Sequence, residues 1–332
     1  MKNLAVIGAG SWGTALAIVL GPRFPHIRLW VYEADLCERI RQTHINDIYL
    51  PGFEIPKHIH PTSNLAEALD AADIVLTVTP SHLLRSVTGS MLPHLNERMI
   101  FVSASKGLEN ETLLRMSQVL EQTIAPRFAP RIAIVSGPSF AREVAKFEPT
   151  ALVVASQDAA LAESVQSAFS GPTFRLYTSA DPVGVEVGSS IKNVVAIGAG
   201  VLHGMGMGHN AMAALITRGL AEMSRLAAAM GGKPLTMSGL AGLGDLVLTC
   251  TGELSRNRHV GIELAHGRKL DEIVRSMKMV AEGIKTTNAA VDLARRHGVE
   301  MPISQQMFQM LHFGITPRDA IRTLMERSLK GE

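Results

Sequence analysis

Residues 2–20, KNLAVIGAGSWGTALAIVL, limit most strongly what this chain can fold into. Leu4-Ala5-Val6-Ile7 is a short apolar run that predicts a buried strand. It stops at Gly8-Ala9-Gly10-Ser11-Trp12-Gly13, a G-x-G-x-x-G, and Thr14–Leu20 then predicts a helix. Gly8 allows a tight turn, Gly10 lets a pyrophosphate reach the backbone, and Gly13 lets helix and strand pack closely. The free N–H groups of the helix's first turn, with its dipole, would face the phosphates. That context selects dinucleotide binding over an ordinary strand–helix turn. Lys2 and the apolar run also resemble a secretory leader. However, glycines and Trp12 interrupt the run, and no A-x-A site follows the short Ala15–Leu20 block, so it reads as retained structure.

Apolar strand patterns then alternate with helical ones. Strands are expected at Arg28–Tyr32, Asp73–Val78, Met99–Ser103, Ile132–Val135, Thr150–Ala155 and Thr173–Tyr177. Helices are expected at Asp35–Gln42, Asn64–Leu69, Ser81–Met91, Glu111–Ile124 and Asp158–Phe169. This alternation predicts an α/β fold with a Rossmann-type, doubly wound, mostly parallel sheet. Gly8, Tyr32, Pro80, Lys106 and Gly137 all fall at expected strand ends, where such sheets bind ligands. Beyond Asp181 the strands stop. Long helical segments follow at Pro182–Met205 and Ala211–Met230, then a glycine-rich loop at Ser238–Leu246 and further helices to Arg327. The expected division is a dinucleotide-binding Rossmann domain over 1–182 and an all-helical substrate and catalytic domain over 183–332.

With 332 residues, 46% hydrophobic and 19% charged, the chain has the composition of a soluble two-domain protein. A net charge of +2 gives no sign of nucleic acid as a partner. No uninterrupted apolar stretch reads as a membrane span, so no stable anchor is expected. Cys37 and Cys250 make no C-x-x-C, which suits a reduced cytoplasmic setting. His58 and His60 flank Ile59 in a metal-like alternation, but no third ligand accompanies them, and no metal site is expected.

Four features carry chemistry. Glu33 lies where a Rossmann unit places the acid that accepts the adenosine ribose hydroxyls and repels a 2′-phosphate; Asp35 competes for that role, and Tyr32 could lie against adenine. Lys106 stands among small residues at a strand end on the cofactor side, with an ordinary surface lysine as the competing reading. Lys192, with Asn193, sits among apolar and small residues. Burial there would lower its pKa toward neutrality and suit acid–base work, whereas a solvated helix face would not. Asp245 is the one acid in the glycine-rich loop, and Ser255-Arg256-Asn257 offers a hydroxyl, a guanidinium fork and an amide at a helix start. That trio can grip a phosphate or merely cap a helix.

Taken together, these stretches resemble the NAD(P)-dependent sn-glycerol-3-phosphate dehydrogenases of the soluble bacterial biosynthetic type. The resemblance rests on GAGSWGTALA at 8–17, NDIYLPG at 46–52, SKGLE at 105–109, SGPSFAREV at 136–144 and GVEVGSSIKNVVAIGAG at 184–200. It continues through LITRGLAEM at 215–223, GLAGLGDLVLTCTGELSRNR at 239–258 and AEGIKT at 281–286. It implies reversible hydride transfer between dihydroxyacetone phosphate and sn-glycerol 3-phosphate with NAD or NADP, in supply of phospholipid synthesis. It implies Lys192 as proton donor and acceptor, with Asp245 and Lys106 beside it in catalysis. Lys106, Gly137, Ser139, Asp245, Ser255, Arg256 and Asn257 are implied as substrate contacts, and Lys192 and, by its position, Asn193 are expected there too. Gly8, Gly10, Ser11, Trp12, Gly13, Tyr32, Glu33, Lys106, Ala141, Arg256, Val280 and Glu282 are implied or expected on the cofactor. Many bacterial members carry Arg or His just after the second-strand Trp. Tyr32-Glu33 here is closer to NAD-using eukaryotic members and argues against a strict NADPH preference. The expected partner is the small-molecule substrate, with a homodimer left open.

Overall fold

The computed structural model describes residues 1–277, 281–329 and 331. They fall into two compact units, Met1–Glu109 with Leu114–Glu186, and Asn110–Leu113 with Val187–Glu332.

The first unit alternates strand and helix. In chain order it contains β1 (Asn3–Ile7), α1 (Ser11–Leu20), β2 (His26–Trp30), α2 (Ala34–Thr43), β3 (Ile59–Thr62), α3 (Leu65–Leu69), β4 (Ile74–Thr77) and α4 (Leu84–Met91). β5 (Ile100–Ser103), α5 (Met116–Ile124), β6 (Arg131–Ser136), α6 (Ala141–Ala145), β7 (Thr150–Ala155), α7 (Ala159–Phe169) and β8 (Phe174–Ser179) complete it. The sheet order is β3-β2-β1-β4-β5-β6-β7-β8. All neighbours pair parallel except β6 and β7. Chain direction across the sheet reverses between β1 and β4, the switch point at which such sheets open a crevice.

The sheet is apolar on both faces because helices cover both. Leu4 and Val6 of β1 pack with α1, α2, α6 and α7, in a cluster with Leu16, Ile40, Val144 and Phe169. Ala5 and Ile7 point the other way, to Leu69, Leu84, Val119 and Leu120 of α3, α4 and α5. Burial on both sides is why these strands read as unbroken apolar runs rather than alternating ones.

The second strand keeps its expected length but lies two residues earlier than Arg28–Tyr32. It runs from His26 to Trp30, and Tyr32 stands outside it, 78% exposed. α5 starts five residues later than the expected Glu111. Leu108 and Arg115 form an antiparallel bridge, Glu109 N–H donates to Leu114 O at 2.9 Å, and Leu113 takes φ +63°. A reversal of that kind cannot be helical. The carboxylate of Glu186 then accepts from Ser117 N (2.8 Å) and Ser117 Oγ (2.6 Å) and pairs with Arg115, which fixes the helix start. His58 lies just before β3, with Nε2 3.1 Å from Gly21 O.

The remaining elements are helical: α8 (Pro182–Gly204), α9 (His209–Ala229), α10 (Asp245–Thr251), α11 (Arg256–Ala265), α12 (Leu270–Ser276), α13 (Glu282–His297), α14 (Pro302–Phe313) and α15 (Pro317–Met325). α8 starts in the first unit and runs on into the second. With a mean hydropathy of 1.3 it is long and apolar enough to cross a membrane by length and composition, which the scattered charges of its sequence concealed. Its apolar window is wholly buried in the fold.

Glu222 of α9 shows how the second unit is fastened. Its buried carboxylate accepts from Ile303 N (2.6 Å), Ser304 N (3.1 Å) and Ser304 Oγ (3.1 Å) at the start of α14. Burial pushes this carboxyl up, and those bonds with nearby Arg225 oppose the rise. Glu222→Leu orphans two helix N–H groups and should cost about 2–4 kcal/mol by chemical denaturation. A raised folded value means the native state holds the proton more tightly than the unfolded chain. The stabilisation from that shift is complete below the ordinary value of 4.5 and fades as pH rises through the raised one. The stability difference between wild type and Glu222→Leu should therefore shrink as pH rises over that window; a pH-independent difference would contradict the assignment.

Candidate active site

The turn after β1 is shaped by close approach. Gly8 has φ +117°, and a Cβ there would sit 2.8 Å from Val78 O at the end of β4. A Cβ on Gly13 would overlap Gly8 O, so α1 can lie on the strand only without one. A Cβ on Gly10 would meet nothing within 4 Å, which leaves that backbone open to a ligand. No side chain caps α1 at Gly10 and no acid lies in its first turn. Trp12 Nε1 is buried without a hydrogen-bond partner. An uncapped helix start, an open glycine and an orphaned donor fit the pyrophosphate of a dinucleotide. Ser11 opens α1, and Trp12 and Ala141 of α6 pack against the same apolar cluster beside it.

Asn46 ties this turn to the segment that follows α2. Its Nδ2 donates to Ala9 O (2.8 Å) and Thr14 Oγ1 (2.9 Å), and its Oδ1 accepts from Tyr49 N (3.0 Å). Tyr49 Oη donates in turn to Glu33 Oε1 at 2.7 Å, just past the end of β2. Tyr32 lies edge-on to Trp30, with ring centroids 5.9 Å apart.

Lys106, Gly137 and Ser139 come together at the carboxyl ends of β5 and β6. Lys106 Nζ is 3.3 Å from Gly137 O and 3.5 Å from Ser139 Oγ. Adjacent parallel strands place the three side by side because their ends share one edge of the sheet.

In the second unit, Lys192 is 4% exposed and Asp245 1%. Lys192 Nζ pairs directly with Asp245 Oδ1 and donates to Thr249 Oγ1 at 2.9 Å. Thr249 Oγ1 donates to Asp245 O at 2.6 Å. One helix turn explains the meeting. Gly188 and Lys192 share a face of α8, and Ala241 and Asp245 are likewise four residues apart. A Cβ on Gly188 would sit 2.6 Å from Ala241 O, so the missing side chain lets that backbone close on α8 and delivers Asp245 to Lys192. Burial disfavours the ammonium, and the buried carboxylate opposes that penalty. Cys250 lies in the same field. Burial pushes its thiol up to about 12 against the pull of Lys192 and Arg258, so it stays protonated and is no nucleophile at neutral pH.

Most of the expected loop Ser238–Leu246 is helical: a π-helical turn, Leu240–Gly244, runs into α10. A sequence reading that starts no helix at Asp245 misses Thr249, which a helix places on Asp245's face. Ser255 is the N-cap of α11, its Oγ accepting from Arg258 N at 3.2 Å. The capping reading of that hydroxyl is thus realised. Arg256 is the first residue of α11 and is exposed. Asn257 is buried, and its Oδ1 accepts from Gly283 N at 3.0 Å. A Cβ on Gly283 would be 2.7 Å from Asn193 O, so Asn193, Asn257 and the start of α13 are neighbours. Glu282 opens α13; Val280 lies outside the described residues.

Known proteins match this arrangement along its length. A family model described as NAD-dependent glycerol-3-phosphate dehydrogenase N-terminus matches residues 3–162, and its C-terminal counterpart matches 181–322. The chain belongs to the NAD-dependent glycerol-3-phosphate dehydrogenase family. It is an oxidoreductase of the NAD(P)-linked kind. A relative from Koribacter versatilis (strain Ellin345), named glycerol-3-phosphate dehydrogenase (NAD(P)+), is 58% identical over 98% of each chain. One of the same name from Syntrophotalea carbinolica is 53% identical over 99% of each. The crystal structure of glycerol-3-phosphate dehydrogenase from Coxiella burnetii superposes with a TM-score of 0.93 at 38% identity, covering 98% of this chain and 99% of that one.

Proposed function

We propose that this protein interconverts dihydroxyacetone phosphate and sn-glycerol 3-phosphate, working in the cytoplasm to supply glycerol 3-phosphate for phospholipid synthesis. The observation that carries the reading is the buried Lys192–Asp245–Thr249 cluster, an ammonium held beside a carboxylate and a hydroxyl away from water. NAD(P)H, when bound, supplies the hydride. As that reduction proceeds, negative charge builds on the ketone oxygen, and Lys192 Nζ donates it a proton. Asp245 holds the ammonium in place and compensates its charge, and Thr249 fixes a second Nζ hydrogen. Asn193 helps polarise the oxygen. Arg256 grips the phosphate as a bidentate fork, with Ser255 and Asn257 beside it at the α11 N-terminus. The phosphate's binding energy thereby orients a carbon some bonds away.

Lys106, with Gly137 and Ser139, takes part in substrate binding, and Lys106 also touches the cofactor. Gly8, Gly10, Ser11, Trp12 and Gly13 cradle the dinucleotide, Ala141 borders it, and Glu33 with Tyr32 receives its adenosine end. Arg256, Val280 and Glu282 complete the cofactor contacts. In domain terms, 1–182 carries most of the dinucleotide contacts, and 183–332 carries the proton donor and the phosphate grip.

Steady-state consumption of NADH with dihydroxyacetone phosphate tests the reading, set against a 3-keto acid of the same length. Turnover of the phosphorylated ketone at least about 100-fold better in kcat/KM is expected. Preference for the keto acid would instead make it a β-hydroxyacid dehydrogenase.

A further inference from the structure

A chain of hydrogen bonds runs from Ala9 in the dinucleotide turn through Asn46 and Tyr49 to Glu33. Asn46 is fully buried and fixed at both ends of its amide, by Ala9 O and Thr14 Oγ1 on one side and Tyr49 N on the other. Tyr49 is therefore set from the same residues that shape the dinucleotide turn. Its phenol donates to Glu33 Oε1 at 2.7 Å. The bond to the carboxylate, with burial second, pushes the phenol up, so it remains a donor at neutral pH. Glu33 precedes α2 and caps nothing with its side chain, so its own element does not fix its rotamer.

We propose that Tyr49 is a positioning residue that sets the enzyme's choice between NAD and NADP by holding the Glu33 carboxylate at the ribose position. This rests on the reading of Glu33 as the ribose acid. A carboxylate has about four acceptor sites. Tyr49 uses one of them on Oε1, and the rest are available to ribose hydroxyls. A carboxylate held in place repels a 2′-phosphate; a loose one can swing aside and admit it.

The test is equilibrium titration of NADH and of NADPH by nucleotide fluorescence, which needs no substrate and no turnover. It uses wild type, Tyr49→Phe, Glu33→Ala and the double variant, each checked for an unchanged thermal midpoint. Tyr49→Phe should lower the ratio Kd(NADPH)/Kd(NADH) by about tenfold to a hundredfold, the weight of one hydrogen bond to a charged group. In the Glu33→Ala background the same substitution should leave the ratio unchanged. A ratio that stays within about twofold of wild type in Tyr49→Phe, with Glu33→Ala lowering it, overturns the role of Tyr49 alone. An equal fall with and without Glu33 means Tyr49 acts on the cofactor directly and also overturns the proposal. A ratio insensitive to Glu33→Ala removes the ribose reading itself, and the proposal with it.

Discussion

Lys192→Met should lower kcat for ketone reduction by about a thousandfold to ten-thousandfold, the range of a lost proton donor acting where charge develops. Met keeps much of the stem that packs in α8 and deletes the charge. NADH should still bind, because the turn at Gly8–Gly13 owes nothing to Lys192. The substitution also strands Asp245, a carboxylate 1% exposed, without its cation. Breaking such a pair costs about 3–5 kcal/mol. Lys192→Met with Asp245→Leu removes both charges and should recover most of that stability without recovering turnover. Near-normal kcat in either variant would remove Lys192 from proton transfer.

Arg256→Ala should lower kcat/KM for dihydroxyacetone phosphate by about 100-fold to 1,000-fold, the loss of a bidentate, charge-assisted grip. Arg256 is exposed at the first position of α11, so its removal leaves the fold intact. The loss should fall mainly on the phosphorylated ketone: the slow reduction of unphosphorylated dihydroxyacetone should lose only what the cofactor contact of Arg256 contributes, about tenfold or less. Arg256→Lys restores charge without the fork and should fall between. An unchanged kcat/KM for the phosphorylated ketone in Arg256→Ala would refute the grip.

Much of the first unit was legible because its signals are local. An apolar run followed by a glycine turn and a helix recurs along it, and each strand is buried on both faces. Where sequence reading failed, the cause was tertiary. Residues 111–115 have good helix formers, but the Leu108–Arg115 bridge and the Glu186 carboxylate set the start of α5 from outside the segment. Leu240–Gly244 has the composition of a loop, yet it is helical and packs closely on Gly188 of α8 and on Met237. That error hid Thr249 by hiding the four-residue spacing to Asp245. Lys192 could be suspected of burial from its neighbours, and Asp245, 53 residues on, was expected beside it from the family resemblance and the mechanism rather than from any local signal. The Tyr49–Glu33 bond was invisible for the same reason, since an exposed-looking acid and a loop tyrosine gain meaning only when the turn folds.

The most direct test follows the hydrogen itself. NADH dideuterated at C4 is mixed with the wild-type enzyme and dihydroxyacetone phosphate, and the product is examined by NMR. One deuterium is expected at C2 of sn-glycerol 3-phosphate for each NADH consumed, with the hydroxyl proton coming from solvent. NADH that binds but passes no deuterium to C2 would contradict it.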